Sequence, residues 1–274
     1  MLAVPVSVTA EPRAIHEGIR GALAPAERVP STTGFESLFI GHSFFVPVIR
    51  ELPFHASTAG FGDHSQSTVF SGGPTGAPKA LWDNPTKRAQ IQAVLDSGDV
   101  EMVGMTYHPD HPTLEGYRHW IDDALSHNGS TRFFVGFPWL PDPRLFDARS
   151  YRSTWADAYD STAKTIIDDL RTEYPGVEIF AVPYGQAAAE LIELFEDGNL
   201  PDVDSLVSRD GAGIFRDGGG HADEILRDLA SLVFLRAIYG VELAEYDYDP
   251  GYLIDLKAIG DSIMSAHDPR YNIS

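Results

Sequence analysis

The stretch FESLFIGHSFF, residues 35–45, joins a run of apolar residues to a tight turn and the beginning of a helix. Phe35–Ile40 has the aromatic and aliphatic content of a buried strand, and Gly41 closes it. Phe44–Ala59 follows with the apolar spacing of a helix. The stretch therefore predicts a strand, a tight turn that carries Ser43, and a helix.

Four further strands are predicted to alternate with helices along the rest of the chain. The strands are expected at Ser67–Phe70, Val100–Thr106, Arg132–Phe137 and Val177–Val182. The other helices are expected over residues 84–95, 113–126, 154–173, 186–196, 222–239 and 252–266. Because parallel neighbours need crossover helices, this alternation predicts an α/β fold: a three-layer α/β/α sandwich around a five-stranded, mainly parallel sheet.

Candidate functional residues follow the strands, because ligands bind at the carboxyl ends of the strands in an open parallel sheet. Ser43 lies after the first strand, where a helix N-terminus favours negative charge. Gly72-Gly73 follows the second strand, and its missing side chains let backbone N–H groups approach an anionic oxygen. Near the chain's end, RDGGGHA at residues 216–222 presents His221 at the start of a helix. Each of these motifs also has an interpretation without function. Ser43 could cap its helix, Gly72-Gly73 could form an ordinary turn, and His221 could be a structural histidine.

Taken in chain order, these motifs resemble the SGNH (GDSL-like) hydrolase family. The resemblance covers about residues 35–240 as an alternation of strands and helices, but only the first and last motifs are specific to the family. It implies a flavodoxin-like strand order, with Ser43 as nucleophile, His221 as general base and Asp217 as the residue that orients the imidazole. It also implies a serine esterase that acts through an acyl-enzyme on an acyl ester or an acetylated carbohydrate, without a cofactor or metal.

The resemblance further implies an oxyanion hole, which this chain matches only in part. The N–H groups of Ser43 and of Gly73, or of Gly72, match two of the family's donors. The third is normally an asparagine after the third strand, but the sequence there reads VGMTYH at residues 103–108. Thr106 is the substitute that we include in the predicted oxyanion hole, with Tyr107 and His108 as alternatives.

Two other positions depart from the family pattern. His42 stands where the family usually has an aspartate beside the serine. Asp217 and His221 are four residues apart instead of three, so that the extra glycine must bulge out of the loop if Asp217 is to reach the imidazole. Asp210 is the second candidate for the orienting carboxylate.

Several aromatic and imidazole side chains are expected at the rim of the sheet. They are candidates for lining a substrate pocket, with packing in the core or a lid as the alternative. The candidates are His42, Phe44, Tyr107, His108 and Trp139, with Trp82 also near a rim loop.

Two functions of other classes stay open. Residues 107–112, YHPDHP, place His108, Asp110 and His111 at the same rim, which is the composition of a metal site, although the two prolines and the spacing favour a rigid loop without metal. The missing asparagine is also compatible with a noncatalytic ligand-binding protein that keeps the fold.

Composition excludes other classes. The 274 residues carry a formal net charge of −20, which opposes binding to nucleic acid and anionic membranes. The sequence has no cysteine, so disulfides, thiolate metal sites and a cysteine nucleophile are excluded. No apolar run reaches the roughly 20 residues that span a bilayer. The oligomeric state is not predicted.

The chain is expected to divide into three parts. Residues 1–33 are interpreted as an extension or linker, 34–244 as the hydrolase domain, and 245–274 as a tail whose short helix packs on that domain. The composition of residues 11–33 is that of a linker behind a removed signal, which favours a secreted or periplasmic location over a cytoplasmic one.

Overall fold

The computed structural model describes residues 33–273 and contains a central sheet of five parallel strands. The strands are β1 (Glu36–Gly41), β2 (Ser65–Phe70), β3 (Met102–Thr106), β4 (Arg132–Gly136) and β5 (Ile179–Val182). They pair in the order β2-β1-β3-β4-β5, and each pairing is parallel. The predicted fold class and the flavodoxin-like order are therefore confirmed.

Ten α-helices connect and cover these strands within the described residues. They are α1 (Val46–Ile49), α2 (Leu52–Thr58), α3 (Pro78–Asp83), α4 (Pro85–Leu95), α5 (Glu115–His127), α6 (Ala148–Ala158), α7 (Lys164–Glu173), α8 (Gln186–Glu196), α9 (Glu224–Tyr239) and α10 (Leu256–Ala266).

The sheet separates two apolar cores because alternate residues of a strand face opposite sides. In β1, Leu38 and Ile40 point into the core formed with α3, α4, α5 and α7, whereas Phe39 points into the core formed with α1, α2, α8, α9 and α10. All three side chains are fully buried. Helices on both faces complete the three layers.

The largest differences from the predicted elements have local causes. The helix predicted over 44–59 is split into α1 and α2, because Pro53 supplies no N–H and its ring conflicts with the carbonyl of residue 49 in a continuous helix. The helix predicted over 154–173 is longer, and it contains a π-helical turn, Tyr159–Ala163, between α6 and α7. Sequence periodicity also missed α3 and a two-stranded parallel pair, β6 (Ser205–Val207) and β7 (Gly213–Phe215).

The C-terminal helix α10 packs on α9, and its Gly260 leaves room for Leu243 in the short turn that follows α9. A Cβ at Gly260 would lie 2.8 Å from Leu243 Cδ1 and 3.7 Å from Leu232 Cβ. Asp255 begins the helix by accepting the N–H of Ala258 at 2.9 Å. Residues 1–32 of the extension expected over 1–33 lie outside the described residues, and the domain boundaries stay predictions. No helix among residues 33–273 is long and apolar enough to cross a membrane.

A buried histidine in α2 predicts acid sensitivity. His55 is 2% exposed, with Nε2 2.8 Å from Ser231 Oγ and Nδ1 3.0 Å from the Tyr246 hydroxyl. Burial lowers the pKa of His55 to about 4, from 6.5 in an exposed side chain. The unfolded chain therefore binds a proton below pH 6.5 that the folded chain does not bind until about pH 4, so folding stability is lost as the pH falls through this window.

We expect His55 to lower the free energy of unfolding by about 2.5 kcal/mol between pH 8 and pH 4.5. Urea unfolding of wild type and His55→Gln at both pH values measures this contribution. The variant should show the smaller loss on acidification, because glutamine does not titrate. An equal loss in both proteins would contradict the assignment.

Candidate active site

Ser43 sits in the tight turn between β1 and α1, at the carboxyl edge of the sheet. A Cβ at Gly41 would lie 2.6 Å from both Phe45 Cδ1 and Thr106 Cγ2, so only glycine fits where the chain leaves the strand. The carbonyl of His42 accepts the N–H groups of Phe45 and Val46 at 3.1 and 3.0 Å, which closes the turn. Phe45, and not Ser43, is the N-cap residue of α1. The Ser43 side chain is therefore not occupied with capping.

A chain of hydrogen bonds joins Ser43 to two residues 178 and 174 positions further along the chain. Ser43 Oγ lies 3.0 Å from His221 Nε2. On the other side of the ring, His221 Nδ1 lies 2.8 Å from Asp217 Oδ2 and 3.1 Å from Oδ1. The side chains of His221 and Asp217 are 32% and 37% exposed, so a molecule arriving from solvent can reach this relay. The predicted contact between Ser43 and His221 is present.

The loop between β7 and α9 accommodates the four-residue spacing of Asp217 and His221. Gly220 adopts φ +91°, a conformation that side chains disfavour, and its carbonyl accepts the indole N–H of Trp139 at 2.7 Å. Asp217 Oδ1 accepts the N–H groups of Gly219 at 3.0 Å and His221 at 3.3 Å. Asp217 is therefore held in place by the loop, whereas Asp210 is exposed at the loop after β6.

The charge state of Asp217 follows from these contacts. Partial burial acts to raise the pKa of Asp217, but hydrogen bonds from the backbone N–H and ring of His221 outweigh it and hold the pKa below its ordinary value. The carboxyl group is consequently ionised at neutral pH, as required for accepting a hydrogen bond from the Nδ1–H of His221.

Backbone donors lie in the turns after β1 and β2. The N–H groups of Ser43, Gly72 and Gly73 have no hydrogen-bond acceptor among residues 33–273. Gly73 adopts φ +52°, which favours glycine, whereas Gly72 has an ordinary extended backbone with φ −78°. The N–H of Ser71 donates to the Gly41 carbonyl at 3.1 Å and so anchors this loop beside the serine turn.

Thr106 is a correction to the predicted oxyanion donors. Its side chain has no exposed surface, and its hydroxyl donates to the carbonyl of Gly136 at 3.3 Å. The hydroxyl also lies 3.4 Å from the Tyr184 hydroxyl. Thr106 therefore faces the interior, where a substrate cannot reach its hydroxyl.

His42 holds two strand-end loops together. Its Nδ1 accepts the N–H of Phe44 at 3.2 Å, and its Nε2 donates to the carbonyl of Tyr107 at 3.0 Å. Burial lowers the pKa of His42 to about 4, which keeps the ring neutral at pH 7. Because His42 is 3% exposed, it belongs to the support of the serine turn and not to an open pocket, which corrects its prediction as a pocket residue.

His108 lies beside His42 and is half-buried. The two rings meet edge to face with their centres 5.2 Å apart. His108 Nδ1 accepts the N–H of Asp110 at 3.2 Å, so the proton of the neutral ring is on Nε2. Burial lowers the pKa of His108, which favours that neutral form. In the described part of the chain, no group of three or more His, Asp and Glu side chains has a geometry able to hold a metal ion.

Phe44 and Trp139 form the aromatic wall behind the relay. Their rings stack with centres 5.3 Å apart, and the Phe44 ring lies edge-on to His221, also at 5.3 Å. Trp139 is only 2% exposed, so its main contribution is to position the histidine loop through Gly220. Trp82 is elsewhere, stacked on His119 with a 4.4 Å separation.

An apolar cavity of about 150 Å³ is bounded in part by the loops that contact the site, and sequence analysis identified only part of its lining. Tyr107 and Trp139, two of the predicted substrate-pocket residues, line this cavity, and their contact with a substrate stays a prediction. Periodicity gave no signal for the remaining residues, because they converge from the loops after β3 and β4 and from the π-helical turn. The lining that was missed includes Pro109, Phe137, Leu140, Pro141, Tyr159 and Thr162.

Comparison with known proteins adds little to this geometry. No family model and no curated protein matches the chain. The periplasmic domain of a lipopolysaccharide acetyltransferase from Salmonella ser. Paratyphi A is 13% identical, covering 57% of this chain and 68% of that chain, with a TM-score of 0.36. A family 3 carbohydrate esterase from Clostridium thermocellum is 13% identical, covering 74% of this chain and 94% of that chain, with a TM-score of 0.43. Similarity this low carries no argument about chemistry.

Proposed function

We propose that this protein is a serine esterase that cleaves an acyl ester through an acyl-enzyme. The observation that carries the proposal is the relay from Asp217 through His221 to Ser43, with distances of 2.8 and 3.0 Å. A carboxylate, an imidazole and a hydroxyl in this order are the groups that activate a serine nucleophile.

In the first half of the reaction, Ser43 Oγ attacks the ester carbonyl carbon while its proton passes to His221 Nε2. The resulting tetrahedral intermediate has one new carbon–oxygen bond and a negative charge on the former carbonyl oxygen. His221 then donates its proton to the leaving alcohol as the bond to that alcohol breaks. The products of this half are the free alcohol and an acyl group on Ser43.

In the second half, water takes the place of the alcohol. His221 accepts a proton from the water as it attacks the acyl carbon, and returns a proton to Ser43 Oγ as the acid departs. Asp217, ionised at neutral pH, holds the Nδ1–H tautomer of His221 in both halves and stabilises the imidazolium.

The intermediate's negative charge requires hydrogen-bond donors that are in place beforehand. The N–H groups of Ser43 and Gly73, which have no acceptor in the described part of the chain, supply two of them, with Gly72 as the neighbouring alternative. We assign the third to His108 Nε2–H, in place of the family's asparagine. The Asp110 N–H fixes the proton on that nitrogen, and Nε2 has no hydrogen-bond partner within residues 33–273.

His108→Ala is expected to lower kcat by about 10²- to 10³-fold with a small change in KM, because the donor acts on the charge that develops in the transition state. Steady-state kinetics with p-nitrophenyl acetate measures kcat and KM separately. His111→Ala is the matched control, since it removes an imidazole from the same loop and should retain activity. Unchanged kcat in His108→Ala would remove His108 from the oxyanion hole.

Hydrolysis of p-nitrophenyl acetate by the purified protein tests the function itself. We expect steady turnover, and a burst of p-nitrophenol that approaches the enzyme concentration if deacylation is much slower than acylation. Absence of turnover on short-chain esters, together with failure to react with a fluorophosphonate, would favour the noncatalytic binding protein instead.

A further inference from the structure

The cavity beside the relay is closed on the sides by loops that also hold the site residues. The carbonyl of Tyr107, which lines the cavity, accepts the Nε2–H of His42 at 3.0 Å. Trp139, another lining residue, donates its indole N–H to Gly220, the neighbour of His221. A Cβ at Gly220 would lie 3.4 Å from Pro141 Cα, so this wall of the cavity touches the histidine loop.

Most of the lining is apolar, and the indole and phenol groups of Trp139, Trp155 and Tyr159 are hydrogen-bonded to other groups. The indole N–H of Trp155 donates to the Pro138 carbonyl at 3.0 Å. The hydroxyl of Tyr159 pairs with His267 Nε2 at 2.5 Å. These side chains therefore present rings to the cavity, which suits an uncharged hydrocarbon group better than a sugar.

The π-helical turn Tyr159–Ala163 forms the far side of the cavity. It interrupts an otherwise continuous helix, α6 to α7, and both Tyr159 and Thr162 line the space. π-helical turns are rare, and they occur frequently at functional sites. The presence of the π-helical turn, which is independent of the cavity volume, therefore also indicates a functional role for this cavity.

The direction of the reaction decides which part of the ester faces the cavity. His221 Nε2 must protonate the leaving oxygen, and the carbonyl oxygen must face the oxyanion donors, so the acyl chain takes a direction that differs from both. Tyr107 and Pro109, which line the cavity, flank His108 in the sequence. Because the alcohol is held at the imidazole and the carbonyl oxygen at the donors, we assign the acyl chain to this space.

Building on the proposed esterase function, we propose that this cavity is the acyl-binding pocket and selects an apolar acyl group of about six carbons over acetyl. A cavity of about 150 Å³ with apolar walls is the size that admits one benzene molecule. Each buried methylene contributes about a fourfold preference, so hexanoyl esters should exceed acetyl esters in kcat/KM on the order of 100-fold.

Thr162→Phe tests the pocket, because it places a ring on the cavity wall. Thr165→Phe is the matched control, since it makes the same exchange at an exposed position of α7. We expect the ratio of kcat/KM for p-nitrophenyl hexanoate to that for p-nitrophenyl acetate to fall at least tenfold in Thr162→Phe and to stay constant in Thr165→Phe. An equal ratio in wild type and both variants would overturn the acyl pocket while leaving the esterase function intact.

A binding measurement separates the pocket from catalysis. In Ser43→Ala, the tryptophan fluorescence, to which the cavity-lining Trp139 and Trp155 contribute, should change on ligand addition. The half-saturating concentration of ethyl hexanoate should be at least tenfold lower than that of ethyl acetate. Adding Thr162→Phe should abolish that difference, and adding Thr165→Phe should not. Selective binding without any turnover in the wild type would contradict the esterase but support the pocket, whereas equal responses to both esters would overturn the pocket.

Discussion

Ser43→Ala is expected to lower the kcat for ester hydrolysis on the order of 10⁶-fold, and His221→Ala by a similar factor. Alanine at residue 43 leaves no oxygen to form the acyl-enzyme, and alanine at residue 221 leaves no base to accept the serine proton. Steady-state turnover of p-nitrophenyl hexanoate measures both variants. Their thermal unfolding midpoints, measured alongside, control for loss of folding.

The double variant gives the sharper result. Because the two side chains act as one unit, removing both should cost little more than removing either alone. Multiplicative losses in the double variant would show that Ser43 and His221 act independently, which would contradict the relay. Activity retained in Ser43→Ala and abolished by a chelator would favour the metal-dependent alternative.

Asp217→Asn is expected to lower kcat by about 10⁴-fold while preserving the fold. The amide keeps the size of the carboxylate, but its NH₂ group in place of one oxygen favours the wrong imidazole tautomer, and its neutrality removes the stabilisation of the imidazolium. Turnover of the same ester measures the loss. Asp210→Asn is the control, since Asp210 is the other acid that sequence analysis retained and it is exposed in the structure. A larger loss in Asp210→Asn than in Asp217→Asn would reverse the assignment.

The fold was predictable because its signals are local and repeated. Buried strands such as Val100–Thr106 and Arg132–Phe137 stand out as apolar runs, and a helix such as Gln186–Glu196 has observed bounds identical to those predicted. Because crossover connections between parallel strands are right-handed, the alternation of strands and helices is compatible with few topologies. The break between α1 and α2 was not predicted, because the apolar spacing around Pro53 is that of a continuous helix.

The residues of the candidate site were predictable only where they belong to a local sequence motif that forms a turn. The strand-turn-helix around Ser43 and the glycine loop before His221 have such signatures, and the contact between the two residues is present. Thr106 was placed wrongly because its side chain, on the alternating pattern of β3, faces the interior and not the rim. The contacts of His42, the tautomer of His108 and the cavity depend on loops distant in sequence, and periodicity carries no information about such packing.

The most direct measurement locates the reactive hydroxyl. The protein should be treated with a fluorophosphonate probe, digested, and the adduct mapped by mass spectrometry in wild type and His221→Ala. We predict one adduct per chain, on Ser43, formed orders of magnitude more slowly without His221. An adduct on a different residue, or equal rates in the two proteins, would contradict the assignment of Ser43 as an activated nucleophile.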